Sequence, residues 1–396
     1  MNIITRTLLL TALLSSSLIT SLKAMDQEIT VCKNISKEEL ILGIKNLPRE
    51  LKLHILSLLL QSSIWGFKLS RTFNLTRAPA FIAFSPDGEN FLSGYFSDED
   101  PQLWNIETGT LVAILKGSRQ CVTSGAFSPD GATCLTQLKN STACLWSLKT
   151  GEPLITFQGH TDHITSVAFS LNGKNCLTGS LDGIACIWNS HTGELLTTFT
   201  HHKRCISSVA FSPNGRKCLT GGGDNTAYVW NSQTGELLTA FTRHTSRVSS
   251  VAFSPDGETC LTASCDKTAH IWNSQTGEIL TTFLGHTDII TSAAFSPDEE
   301  KCLTGSWDST VCMWSPKTGE LLTTFTHHTD RLTSVAFSPD GKTCLTAAED
   351  KTVCVWKQGY GFSYLTPEKK EGFFKLFMAF YPLLEKIEDR AADTLL

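Results

Sequence analysis

The chain has 396 residues, 41% of them hydrophobic, and a formal net charge of −5. It is long enough to fold a large domain, and the lack of a basic excess disfavours nucleic acid as a partner. An uncharged stretch runs from Leu8 to Leu22 after Arg6, and Ala24 follows it closely. This pattern predicts a secretory signal over 1–24 that is removed, leaving no stable membrane span. The alternative is an uncleaved anchor, which the serines and threonines of the stretch disfavour.

Residues 25–65 predict a short helical segment. Ser36 precedes Glu38 and Glu39, as at the start of a helix, and a leucine-rich stretch follows Pro48. This stretch resembles the opening of an F-box, and the residues that carry the resemblance are Leu47, Pro48, Glu50, Leu51, Ile55, Leu56 and Leu59. The resemblance implies docking to the linker subunit of a ubiquitin ligase. The alternative is an amphipathic helix that packs on the rest of the protein.

A 42-residue repeat dominates the rest of the chain. Its marker is a tryptophan at a constant interval, at Trp104, Trp146, Trp188, Trp230, Trp272, Trp314 and Trp356. In the sixth unit, short alternating patterns predict four strands, Ile290–Ser296, Lys301–Ser306, Thr310–Ser315 and Glu320–Thr326. A sheet of this size cannot bury both faces alone, so the units must pack on one another in a ring.

These units resemble WD repeats. The resemblance implies a seven-bladed all-β propeller in which His, Thr, Asp and Trp of one blade form a hydrogen-bonded structural tetrad. By position these tetrads are His160, Thr178, Asp182, Trp188; His202, Thr220, Asp224, Trp230; His244, Thr262, Asp266, Trp272; His286, Thr304, Asp308, Trp314; and His328, Thr346, Asp350, Trp356. Repeat two has Ser118 and Asn140 in place of His and Asp, and repeat one lacks the His.

The seventh unit lacks its fourth strand, which predicts how the ring closes. Lys68–Thr76 contains Arg-Thr-Phe-Asn, similar to the Thr-Thr-Phe-Thr that ends other units. Donating this stretch to blade seven would remove both exposed sheet edges. We therefore expect the propeller at 66–358. An aromatic-rich helical tail is expected at 359–396, with its helix over 368–390.

Most of the 14 cysteines occupy repeated strand positions. Six lie in second strands and four in third strands: Cys134, Cys176, Cys218, Cys260, Cys302, Cys344, Cys144, Cys186, Cys312 and Cys354. Such positions favour small core side chains. No C-x-x-C pair occurs, so no zinc site is predicted. So many thiols favour a reducing compartment, which conflicts with a signal peptide unless the destination is another cell's cytosol.

Two positions vary although the repeats are otherwise nearly identical. They are the third residue after the tetrad His (His163, Cys205, Arg247, Ile289 and Arg331) and the residue before the tetrad Asp (Leu181, Gly223, Cys265, Trp307 and Glu349). This variation predicts a protein-binding face formed by Trp307, Arg247, Arg331, Ile289, Leu181, His163 and Glu349. Trp307 is the expected anchor. The alternative is that Trp307 merely covers a neighbouring loop.

No catalytic group stands apart from the repeat, so we expect no enzyme, no catalytic residue, no cofactor and no metal. We expect a scaffold for protein–protein interaction. Together with the F-box-like segment it would be a substrate receptor of a ubiquitin ligase, exported by an intracellular bacterium into the cytosol of its host. A secreted propeller enzyme and a structural envelope propeller are the alternatives.

Overall fold

A computed structural model describes residues 66–117, 121–138 and 140–359, and these residues form strands and turns without a helix. By packing, Leu69–Lys357 form one compact unit. The strands build seven four-stranded antiparallel sheets, so the predicted seven-bladed all-β propeller is confirmed. The signal peptide, the F-box-like segment and the C-terminal helix lie outside the described residues.

The strands of blade 1 are β2 (Pro79–Phe84), β3 (Asn90–Tyr95), β4 (Gln102–Asn105) and β5 (Leu111–Ile114). Those of blade 2 are β6 (Gly125–Phe127), β7 (Thr133–Leu138), β8 (Thr142–Ser147) and β9 (Pro153–Gln158). Those of blade 3 are β10 (Ile164–Phe169), β11 (Asn175–Ser180), β12 (Ala185–Asn189) and β13 (Leu195–Phe199). Those of blade 4 are β14 (Ile206–Phe211), β15 (Lys217–Gly222), β16 (Ala227–Asn231) and β17 (Leu237–Phe241).

Blade 5 contains β18 (Val248–Phe253), β19 (Thr259–Ser264), β20 (Ala269–Asn273) and β21 (Ile279–Phe283). Blade 6 contains β22 (Ile290–Phe295), β23 (Cys302–Ser306), β24 (Val311–Trp314) and β25 (Leu321–Phe325), each close to the bounds expected from its pattern. Blade 7 contains β26 (Leu332–Phe337), β27 (Thr343–Ala348) and β28 (Thr352–Gly359), and its fourth strand is β1 (Gly66–Asn74).

The turn between the first two strands of a blade shows how the local sequence sets the fold. In blade 5 the Ser254 hydroxyl accepts the Thr259 N–H at 3.0 Å, and Gly257 donates its N–H to the Ser254 carbonyl at 2.8 Å. Gly257 has a φ of +75°, which a residue without a Cβ adopts at little cost. Ser-Pro-Asp-Gly therefore fixes the register of the following hairpin.

Neighbouring blades are joined by two repeated contacts. In the centre of the ring, a serine on or directly before the first strand of blades 2 to 7 accepts an N–H from the next blade, as Ser166 does from Val209 at 3.1 Å, whereas blade 1 has Phe81 at this position. Farther out, the phenylalanine that ends a blade packs on the tryptophan of the next, as Phe199 does on Trp230 with ring centroids 5.0 Å apart, and Leu115 takes this place at the end of blade 1. Blades therefore stabilise one another in sequence around the ring.

The same two contacts close the ring between blades 7 and 1. Phe73 of β1 packs on Trp104 with centroids 6.0 Å apart, and the Ile82 N–H donates to the Ser334 hydroxyl at 3.3 Å. Strand β1 lies beside β28 at the outer edge of blade 7. The predicted closure by the stretch before blade 1 is confirmed, with the strand beginning two residues earlier than expected.

Candidate protein-interaction site

Each blade from 3 to 7 brings together a His, a Thr and an Asp from separate elements. The His lies in the loop before the first strand, here named the leading loop, the Thr lies on the second strand, and the Asp lies in the turn after it. In all five sets His Nδ1 is 2.9–3.0 Å from the carboxylate and His Nε2 is 2.7–3.0 Å from Thr Oγ1. The His–Asp contact ties the leading loop to the turn, so both lie at one end of the ring, the leading face.

The hydrogen bonds of a full set are consistent with a neutral imidazole. In blade 6 the Trp314 N–H donates to Thr304 Oγ1 at 2.7 Å. The threonine can then donate to His286 Nε2, while Nδ1–H donates to the Asp308 carboxylate. Every buried polar group of this set has a partner, which is what a buried network requires to be stabilising.

The aspartate of each set stays ionised. Burial alone would raise the pKa of Asp182, but the N–H groups of Thr161 and Ile184, at 3.0 and 2.8 Å, and the His160 ring hold that pKa below its usual range. The pKa of each of the four other tetrad aspartates is lowered in the same way. Burial lowers the pKa of His328, which keeps that ring neutral near pH 7.

Blade 5 departs from the expected tetrad. Trp272 stacks on Phe241 with an interplanar angle of 8°, yet its Nε1 has no hydrogen-bond partner among the described residues. His244, Thr262 and Asp266 still bond to one another, so the predicted set of four is a set of three here. We have no physical account of this loss, because Trp314 stacks on Phe283 in nearly the same way and keeps its bond.

Blades 1 and 2 fill the tetrad region differently. In blade 1 the buried Tyr95 hydroxyl lies 3.0 Å from Ser93 Oγ and donates to Gln102 Oε1 at 2.7 Å. Burial raises the pKa of Tyr95 to about 12. In blade 2, Trp146 donates to Thr136 at 2.8 Å. Asn140 Oδ1 accepts the Thr142 hydroxyl in place of an aspartate, and Ser118 lies outside the described residues.

The structure pairs the two variable positions of every blade from 3 to 7. The residue before the tetrad Asp donates its backbone N–H to the carbonyl of the third residue after the tetrad His at 2.8–2.9 Å. The pairs are Leu181 with His163, Gly223 with Cys205, Cys265 with Arg247, Trp307 with Ile289, and Glu349 with Arg331. Each third residue directly precedes a first strand, and first strands of neighbouring blades contact one another. The ten residues therefore form an arc on the leading face over blades 3 to 7.

Comparison with family models identifies this arrangement. The model described as WD domain, G-beta repeat matches residues 109–147, 151–189, 193–231, 235–273, 277–315 and 319–357, which together make up more than half of the chain. The chain belongs to the WD-repeat family. Comparison with curated proteins returned no match. A WD-repeat propeller fits a protein-interaction scaffold, and propellers of this family are typically not enzymes.

On the WD-repeat propeller, side chains of neighbouring blades contact one another on the leading face. The Arg331 guanidinium lies over the Trp307 ring, 4.4 Å from its centroid, and joins blade 7 to blade 6. Trp307 is half-buried, whereas Arg331 is exposed. Arg247 donates to Ser207 Oγ at 2.7 Å, and it too is exposed. His163 and Leu181 are exposed, and Ile289 and Glu349 are half-buried.

Sequence reasoning missed an aromatic residue on this face. Phe96 follows the second strand of blade 1, as Leu181 and Trp307 do in their WD repeats, and it is 56% exposed. The turn of blade 1 between β3 and β4 has one residue more before Trp104 than the other turns have before their tryptophans. Counting back from Trp104 therefore reaches Ser97 rather than Phe96. The strand pairing of Pro79 with Tyr95 shows the correct position.

The ten cysteines at repeated strand positions are buried, as predicted. Burial raises the pKa of Cys176 to about 12 and that of Cys144 to about 11, so these thiols remain protonated at neutral pH. No group of three or more His, Cys, Asp or Glu side chains among the described residues could hold a metal ion. Within 66–117, 121–138 and 140–359 there is no helix long and apolar enough to cross a membrane.

Proposed function

We propose that the propeller binds partner proteins through its leading face, with Trp307 as the anchor. The observation that carries this proposal is the half-buried indole of Trp307 beneath the Arg331 guanidinium, at a position that differs in every blade from 3 to 7. Structural demands alone would keep such positions alike, as they do at the tetrads. A tryptophan that a partner covers fully can contribute about 2 kcal/mol or more to binding.

The experiment compares two substitutions of large side chains on opposite faces. Trp307→Ala removes the anchor, and Leu171→Ala removes a 66% exposed side chain from a first turn at the other end of the ring. The immobilised full chain is incubated with eukaryotic lysate, and the bound proteins are quantified. We expect partners to be lost with Trp307→Ala and kept with Leu171→Ala. Equal recovery with both folded variants would reject this face.

We further propose that the F-box-like segment makes the protein a substrate receptor. In the sequence, Pro48 suits the first turn of a helix, and Leu51, Ile55 and Leu59 follow at helical spacing. Such a stripe fits a partner groove. The signal-like residues 1–24 support export, and both features agree if an intracellular bacterium delivers the protein to the cytosol of a eukaryotic host.

This second proposal is tested with the double variant Leu47→Ala, Pro48→Ala. Wild-type protein should recover a ligase linker subunit from eukaryotic lysate, and the double variant should not. The double variant should still recover the partners that depend on Trp307, because the propeller is unchanged. If the wild type recovers no ligase subunit, residues 25–65 have no receptor role and the propeller proposal stands alone.

A further inference from the structure

Five exposed cations lie together on the leading face over blades 4 and 5. Lys203 and Arg204 are in the leading loop of blade 4, Arg243 and Arg247 are in or next to that of blade 5, and Lys267 is in the turn that follows Asp266. We name these five residues the cationic sector. Among the residues that the structure describes, none of the five forms an ion pair with a carboxylate. The sector is therefore local positive charge on a chain whose net charge is −5.

The fold does not require the two cations of blade 4, whereas Arg247 and Lys267 also bond to neighbouring blades, at Ser207 Oγ and at the Thr287 carbonyl, each at 2.7 Å. In blades 3, 6 and 7 the tetrad His is followed by Thr-Asp, and that Asp accepts the N–H of the next residue at 2.7–2.8 Å. Blade 4 has Lys203 and Arg204 at these two positions and gives up that bond. The turn position of Lys267 has a positive φ in each blade from 3 to 7 and is also a lysine, Lys351, in blade 7, so it is not specific to the sector. One structural preference, the Asp hydrogen bond, is thus set aside where the charge accumulates.

Charge on the leading face is also unevenly distributed around the ring. Blade 1 lies opposite blades 4 and 5 in a closed ring of seven, and its turn carries Asp98, Glu99 and Asp100. Glu99 pairs with Arg77 at 3.3 Å. A partner that carries negative charge at one side of its contact surface would therefore bind in a single orientation, because the opposite orientation places like charges together.

We infer that the cationic sector binds a short acidic segment of a partner polypeptide; this inference rests on the proposal that the leading face binds proteins. Arginine guanidinium groups bind carboxylates through paired hydrogen bonds, and exposed lysines add attraction that salt weakens. Asp162 of blade 3 and Asp288 of blade 6 flank the sector. A long polyanion such as nucleic acid would meet these carboxylates on either side, whereas a short acidic segment would not.

The experiment restores the sequence of the sister blades. Lys203→Thr with Arg204→Asp gives blade 4 the Thr-Asp of blades 3, 6 and 7, so the variant is expected to fold at least as well as the wild type. Lys174→Thr with Arg216→Asp makes the same charge change at two exposed residues on the opposite face. Binding of a labelled oligo-glutamate peptide to the full chain is measured by fluorescence anisotropy. An oligothymidylate of equal charge is the comparison.

We expect the first variant to lose about 10-fold in affinity for oligo-glutamate, and the second to change little. Equal affinities of the two variants would overturn the inference, and so would tighter binding of oligothymidylate than of oligo-glutamate by the wild type. Self-association of the wild type that the first variant abolishes would identify a second copy as the ligand and would also overturn it. Trp307→Ala separates the two proposals, since partner recovery that depends on Trp307 without oligo-glutamate binding rejects only the sector.

Discussion

The missing bond of Trp272 allows the tetrad energetics to be tested within one protein. Thr304 and Thr262 are both fully buried and occupy the same position in blades 6 and 5. Thr304 Oγ1 accepts from Trp314 and bonds His286, whereas Thr262 Oγ1 bonds only His244. Substitution by valine keeps a similar volume and removes the hydroxyl. It therefore leaves two buried groups unsatisfied in blade 6 and one in blade 5.

An unsatisfied buried group costs about 1–3 kcal/mol. We expect Thr304→Val to lower the free energy of unfolding by about 3 kcal/mol and Thr262→Val by about 1.5 kcal/mol. Urea unfolding followed by far-ultraviolet circular dichroism measures both, provided that the slopes with denaturant agree. Thr220→Val, whose hydroxyl makes both bonds, is the control and should behave like Thr304→Val. An equal or larger loss for Thr262→Val would refute this account.

Three further predictions concern closure, pH and thiols. Phe73→Ala should destabilise the ring about as much as Phe199→Ala, by about 3 kcal/mol or more, because both rings pack on the next blade's tryptophan; a much smaller loss at Phe73 in urea unfolding would contradict closure by β1. Burial lowers the pKa of His270 to about 4, so the folded state binds fewer protons than the unfolded state and stability falls as pH drops from about 6.5 to about 4. His270→Cys, the residue of most sister blades, should remove about 2 kcal/mol of this loss after allowance for solvent, and melting curves with unchanged pH dependence would oppose this. Native alkylation followed by peptide mapping should leave Cys134 and the other nine strand cysteines unlabelled, and rapid labelling of any of them would contradict their burial.

The sequence was sufficient for features that repeat. A constant tryptophan interval predicted seven blades, and the likeness of residues 71–74 to the ends of other units predicted closure, because both reflect packing that recurs in most blades. Contacts between positions that vary from repeat to repeat, and the exact geometry of each side chain, could not be predicted. The Arg331–Trp307 stack joins variable positions of two blades, and Trp272 loses its bond in a blade whose tetrad residues are all present. Repeat patterns fix which residues are neighbours, but they do not fix side-chain geometry.

The burial of the thiols bears on the proposal of export. Many cysteines ordinarily argue against an oxidising compartment, because thiolates attack disulfides and oxidants. Here burial raises the pKa of the strand cysteines, as it does to about 12 for Cys186, so almost no thiolate is present and reagents cannot reach the sulfur. These cysteines act as small apolar side chains. Their number therefore does not oppose passage through an oxidising compartment, and the half-exposed Cys121, Cys205 and Cys265 are the described thiols that such passage would affect.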